Sequence, residues 1–166
     1  SIASCLLVIM CYNIIKLTGL ADCLSQGRHF MFQFDYTRSF GEPTQVALAR
    51  ETYCTGNTAL IMVCADQTDE MFGEMFGVLS VNITDDGFAR CWTLSDEANF
   101  IVDTNNNSEE VVRAFIDAGV IEIKQGMSSH SGFCSYPFAR LTDKGMAEVP
   151  SYDGLMKALR AEVLAS

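Results

Sequence analysis

The spacing of apolar positions changes character along the chain. From residue 28 to 36 the period is two: Phe30, Phe32, Phe34 and Tyr36 alternate with His29, Met31, Gln33 and Asp35, which predicts a half-buried strand. Gly41, Glu42 and Pro43 break it. Residues 58–65 are almost wholly apolar, bounded by Gly56-Asn57 on one side and the polar run 66–70 on the other, and predict a second strand. Residues 75–83 read as its hairpin partner, closed by the turn residues Thr84, Asp85, Asp86 and Gly87. Residues 88–94, which hold the only tryptophan, Trp92, predict a further strand. Connections this short favour antiparallel neighbours.

The stretch 100–124 organises the rest. It reads as strand, polar turn, short helix, glycine stop and strand. Ser108 is placed to accept from a free N–H of the first helical turn, Glu109 and Glu110 sit at the positive end of the helix dipole, and Gly119 permits a left-handed residue at the stop. Val111, Val112, Phe115 and Ile116 then share one face, the stripe of a helix laid on a sheet. Residues 125–132 look like a small polar loop with Gly126 and Gly132 near its ends, and residues 133–141 like a last strand. Pro137 cannot donate to a ladder, so that strand is expected at an edge or a bulge. Pro150-Ser151 opens a final helix in which Leu155, Met156, Leu159, Val163 and Leu164 share a face. Strands dominate and helices come late, so the predicted class is α+β: a mainly antiparallel sheet with one central short helix and a C-terminal helix.

Residues 2–15 form an apolar run that ends at Lys16, shorter than the ~20 residues that cross a bilayer and without the preceding positive charge of a signal peptide. A packed helix, read-through from upstream of a start near Met31, and a membrane anchor all remain open for it. Residues 1–27 therefore carry no functional weight, and residues 28–166 are expected to form a single α+β domain, a size that suits one core.

Charge narrows the partner class. The net charge is −10, and all of the excess lies after residue 60, where 17 acids face 7 bases. Such a surface repels nucleic-acid phosphates and acidic membranes and steers a basic or nucleic-acid-binding protein toward it. The seven cysteines, Cys5, Cys11, Cys23, Cys54, Cys64, Cys91 and Cys134, are odd in number and contain no CxxC pair. That pattern predicts reduced, mostly buried thiols in a cytoplasmic protein rather than a disulfide scaffold or a zinc site.

Candidate chemistry is sparse. Asp103, Asn105 and Asn106 place oxygen side chains as a calcium loop does, but Ser108 stands where such a loop needs Gly and Ala114 where it needs Glu. The expectation is a turn whose side chains bond their own backbone. Ser128, His130 and Ser131, with Cys134 beyond, invite a nucleophile reading, yet no Gly-x-Ser-x-Gly elbow accompanies them. Acid pairs such as Glu109-Glu110 read as solvated surface that a partner can recognise. No Walker loop, dinucleotide fingerprint or His-x-x-x-His pair occurs. The binding candidates are therefore Asp103, Asn105, Asn106, Glu109, Glu110, Ser128, His130 and Ser131, with no catalytic residue, metal or cofactor expected.

Four short motifs in fixed order carry a resemblance: 77–83 (GVLSVNI), 101–106 (IVDTNN), 114–120 (AFIDAGV) and 131–137 (SGFCSYP). Together they resemble the short uncharacterised proteins encoded on plasmids and integrative conjugative elements of gut bacteria. Those proteins show a Val-Asn-Leu strand, an Asp-Thr-Asn-Asn turn, a helix ending in Gly and a Ser-Gly-Phe-Cys-x-Tyr-Pro strand. The likeness spans roughly residues 55–141. Where such proteins often carry Thr-Gly-Arg before Ser-Gly-Phe, this chain has Ser128-Ser129-His130, without the basic residue. The resemblance implies a bacterial mobile-element setting and a cytoplasmic location, and supplies no catalytic residues. The leading expectation is thus a non-enzymatic accessory protein that binds another protein through its acidic side or the segment around His130. An acidic DNA mimic that blocks restriction or immunity proteins, and a small hydrolase using His130, are the alternatives.

Overall fold

A computed structural model describes residues 32–36 and 43–165, all within one compact unit that runs from Met31 to Ser166. The apolar run 2–15, the start of the first predicted strand and the Gly41-Glu42 break lie outside the described residues.

Among the described residues seven strands and four helices follow in order: β1 (Gln33–Tyr36), β2 (Thr44–Thr52), β3 (Thr58–Cys64), β4 (Met75–Val78), α1 (Gly87–Ser95), β5 (Asn99–Ile101), α2 (Glu109–Asp117), β6 (Ile121–Ser131), β7 (Cys134–Leu141), α3 (Asp143–Glu148) and α4 (Tyr152–Ala165). They build a four-stranded sheet, β1-β2-β3-β4, and a three-stranded one, β5-β7-β6. Every pairing between these strands is antiparallel, so the α+β architecture holds. The chain just after β4 joins the two sheets. Leu79 N–H donates to Leu60 O at 2.8 Å, Val81 N–H to Ile101 O at 2.9 Å and Asp103 N–H to Leu79 O at 2.9 Å.

One face of this joined sheet carries the main core. Val46, Leu48, Leu60 and Leu79 from the first sheet and Phe100, Val102, Ala139 and Leu141 from the second pack with Val112 and Phe115 of α2. The predicted cap is present: Ser108 Oγ accepts from Val111 N–H, and Gly119 takes φ +70°. On the opposite face α4 covers Ala47, Ala49 and Val63 with Leu155 and Leu159. On that same side α1 lays Ala89 and Trp92 over Ile101 and Phe138, with Trp92 stacked 5.9 Å from Phe138.

Several expectations need correction. Residues 88–94 are not a strand but α1, because Asp86 caps a helix by accepting from Phe88 and Ala89 N–H. The tertiary contact on Phe138 rewards a helical face that a seven-residue apolar run does not specify. Residues 125–131 are not a loop but the second half of β6, which slips register between Ile123 and Ser128 with Gly126 at φ +73°. β7 is the central strand of its sheet rather than an edge. Pro137 is tolerated there because it faces Ser128, at the end of that register shift, which is the bulge half of the expectation. In α4 only Leu155 and Leu159 are fully buried, while Val163 and Leu164 are exposed, since the helix outruns the sheet beneath it. Of the four cysteines among the described residues, Cys64 alone is buried, and Cys54 and Cys91 are exposed. β2 and α3 had no counterpart in the sequence reading.

Candidate functional site

Strand direction gathers most of the candidate residues at one end of the β5-β7-β6 sheet. β5 runs out into the turn at Asp103, β7 begins at Cys134, and β6 ends at Ser131. Two side-chain links tie the turn to the hairpin: Thr104 Oγ1 donates to Ser135 O at 2.9 Å, and the Cys134 thiol to Asn105 Oδ1 at 3.5 Å.

The turn is occupied with itself. Asp103, buried, accepts through Oδ1 from the N–H groups of Asn105 and Asn106 and through Oδ2 from Asn106 Nδ2 at 2.7 Å. Asn107 Nδ2 reaches Val78 O and Asp103 O. These bonds are the self-satisfied turn that the composition predicts. At the start of α2, Glu109 forms a loose, exposed ion pair with Arg113 at 3.9 Å. Hydrogen bonds from its own backbone N–H and from Ser108 hold the Glu110 carboxyl below its usual range.

The hairpin separates the remaining candidates by face. Ser129 is buried and donates to Asp86 Oδ2 at 2.6 Å, tying β6 to the cap of α1. That bond, then the backbone N–H groups of Ala89 and Phe88, and last the charge of His130, keep the Asp86 carboxyl below its usual value. Ser128 and His130 are exposed and point to the other face, because neighbours on a strand alternate. The serine engaged by a carboxylate is therefore not beside the imidazole in the manner of a nucleophile and its base.

At the tip, Ser131 pairs with Cys134 across a two-residue turn formed by Gly132 and Phe133. Gly132 has φ +61° and Phe133 does not share that sign, the pattern of a type II′ turn. Phe133 is fully exposed, with a relative exposure of 110%, the highest of the large apolar side chains among the described residues. Sequence reasoning placed Phe133 inside a strand and overlooked it. The Gly-x pair between two alternating segments was the available signal. Asp86 and Ser129 were likewise missed as a pair, since nothing local links positions 43 residues apart.

Beside the site, a groove of about 400 Å3 runs between α2 and the bulged part of β6, with Val112, Ile116, Ile123 and Pro137 as its apolar lining and Glu109 and Arg113 among its polar residues. Among the described residues no group of three or more His, Cys, Asp or Glu could hold a metal ion. No described helix is long and apolar enough to cross a membrane. No protein-family model, curated protein or solved structure matches the chain.

Proposed function

We propose that the chain is a non-enzymatic protein-binding module, a cytoplasmic accessory protein of a bacterial mobile element, and that the tip of the β6–β7 hairpin is its contact point. The observation that carries this reading is Phe133. An apolar ring costs solubility when displayed, and here it is held out by a two-residue turn anchored to the Asp103 turn through Cys134 and Ser135. Rigid aromatic side chains of this kind serve as anchors that fill a partner's pocket with little entropy to lose. Ser131 and His130 precede the turn on β6, and Asn105 is bonded to Cys134 just after it, so polar groups lie near the tip as at the rim of an interface. The net charge of −10 favours a neutral or basic partner over an acidic membrane.

The test places a photo-crosslinking amino acid at Ser131 in the full chain, expressed in a gut bacterium and irradiated in the cell. One discrete protein adduct is expected, and it should disappear when Phe133→Ala is added. Absence of any adduct, or an adduct indifferent to Phe133, overturns the assignment. When the irradiation is repeated in lysates of stated salt, an adduct with a nucleic-acid-handling protein that forms only in low salt supports phosphate mimicry instead.

A further inference from the structure

On the face of the sheet that carries α4, the apolar cover stops short of β4. Leu155 and Leu159 pack on Ala47, Ala49 and Val63, so α4 lies over β2 and β3. In the β3–β4 pairing Met75 stands opposite Val63 and Val78 opposite Ile61. Cross-strand partners share a face, so both side chains point to the α4 side. There Val78 is half-buried and Met75 is 57% exposed. The β3–β4 connection extends this apolar strip toward the helix. Phe72 and Met156 pack on the same core beneath α4, and a Cβ on Gly73 would lie 3.6 Å from Met156 Cε. Met71, beside Phe72, is 38% exposed.

Spacing indicates what would cover the strip. Neighbouring strands are about 4.8 Å apart and packed helices about 8–10 Å apart, so a helix seated over β2 and β3 leaves room for a second one over β4 and its margin. Backbone pairing offers less: β4 has four residues, and Val78 O already accepts from Asn107 Nδ2. A ligand there meets side chains, which is how an amphipathic helix binds.

Charge selects the kind of helix. Between Arg50 and Arg90 the chain has seven acids and neither Lys nor Arg. Four of those acids, Asp66, Asp69, Glu70 and Glu74, lie in the connection. Glu70 and Glu74 are exposed and immediately precede Met71 and Met75. Of the two bases on α4, Arg160 lies one turn beyond Met156 on the same flank, and the rim stays net negative. We propose that this strip binds a cationic amphipathic helix of another protein, with the apolar stripe of that helix on Met71, Met75 and Met156 and its basic residues against Glu70 and Glu74. Methionine is unbranched and polarisable, so such a surface moulds itself to the stripe it receives. The contact is separate from the Phe133 tip and does not depend on it.

The test is titration of the full chain, carrying 13C-methyl methionine, with a leucine–lysine peptide about five turns long whose leucines recur at the helical period. The Met71, Met75 and Met156 methyl signals should shift saturably. A peptide of the same composition with strictly alternating residues, and a leucine–glutamate helix, should bind at least about ten-fold more weakly. Met75→Thr should weaken binding about ten-fold, and Glu70→Gln with Glu74→Gln about two- to five-fold. These three side chains are exposed, and a circular dichroism spectrum verifies that the variants fold. Phe133→Ala should leave the affinity unchanged. Equal binding of the alternating peptide, undiminished affinity of Met75→Thr, or shifts confined to other methionines overturns the proposal. Met71 and Met75 signals that move on dilution without peptide identify a second copy as the occupant and overturn it too.

Discussion

Replacing Gly145 by Ala sets two physical effects against each other, and the structure decides between them. Gly145 lies inside α3, where intrinsic propensity alone predicts that Ala would stabilise the helix by roughly 1 kcal/mol. A Cβ there would stand 2.1 Å from the carbonyl oxygen of Val120 and 3.1 Å from Leu141 Cδ2. Ordinary carbon–oxygen contacts begin at roughly 3.3 Å, so α3 would have to retreat by about 1 Å. Retreat strains the bonds that hold the helix to the end of α2: Thr142 N–H to Val120 O at 3.0 Å, Thr142 Oγ1 to Gly119 O at 2.6 Å and Lys144 Nζ to Ala118 O at 2.7 Å. Two of these weakened at roughly 1 kcal/mol each, with an overpacking penalty of roughly 1–2 kcal/mol, exceed the propensity gain and leave a net loss of about 2–3 kcal/mol. For a domain of this size that corresponds to a fall in Tm of about 6–12 °C. Thermal unfolding followed by circular dichroism, with urea unfolding alongside, measures it. A Tm equal to or above that of the parent would refute the reasoning, because it would mean that the helix and the Val120 carbonyl are not in contact.

Three further outcomes are expected. Phe115→Ala removes a fully buried ring that lies 4.6 Å from Phe34 and 5.6 Å from Phe32, and urea unfolding should show a loss of roughly 3–5 kcal/mol. Gly132→Ala meets open space but must adopt φ +61°, so it should cost about 1 kcal/mol and lower the Phe133-dependent crosslink yield, whereas an unchanged Tm would contradict the turn geometry. The lowered pKa of Asp86 means that its contribution is fully present above the ordinary carboxylate range and is lost as pH falls through the folded-state value. Asp86→Asn should therefore narrow its stability deficit against the parent as urea midpoints are taken from neutral pH to below about pH 3, and a deficit independent of pH would exclude the carboxylate as its source.

Much of the architecture was legible from local pattern. The alternation ending at Tyr36, the apolar run of β3, and the strand–cap–helix–glycine order of residues 100–124 each carry their own local signal, whether a period, a cap or a stop, and all appear as read. Elsewhere the local signal was ambiguous or misleading. β2, with the residues QVAL-ARET, is made largely of good helix formers, yet as an inner strand it is held on both edges, by β3 along its length and by β1 over residues 44–47. Asp86 suits a turn or a helix cap equally well, and only the contact of Trp92 and Ala89 with Phe138 selects the helix.

The candidate site divides in the same way. By itself the sequence determined the self-bonded Asp103 turn, the cap at Ser108 and the acidic bias, because each depends on neighbours within a few residues or on composition. Only the tertiary structure decided that the Asp103 turn meets the hairpin through Cys134 and Ser135, that Phe133 stands free at the tip, and that Ser129 turns inward to Asp86 while His130 turns out. The physical reason is strand order. Placing β7 between β5 and β6 brings residues about thirty positions apart within hydrogen-bond reach, and no local preference encodes which strands become neighbours.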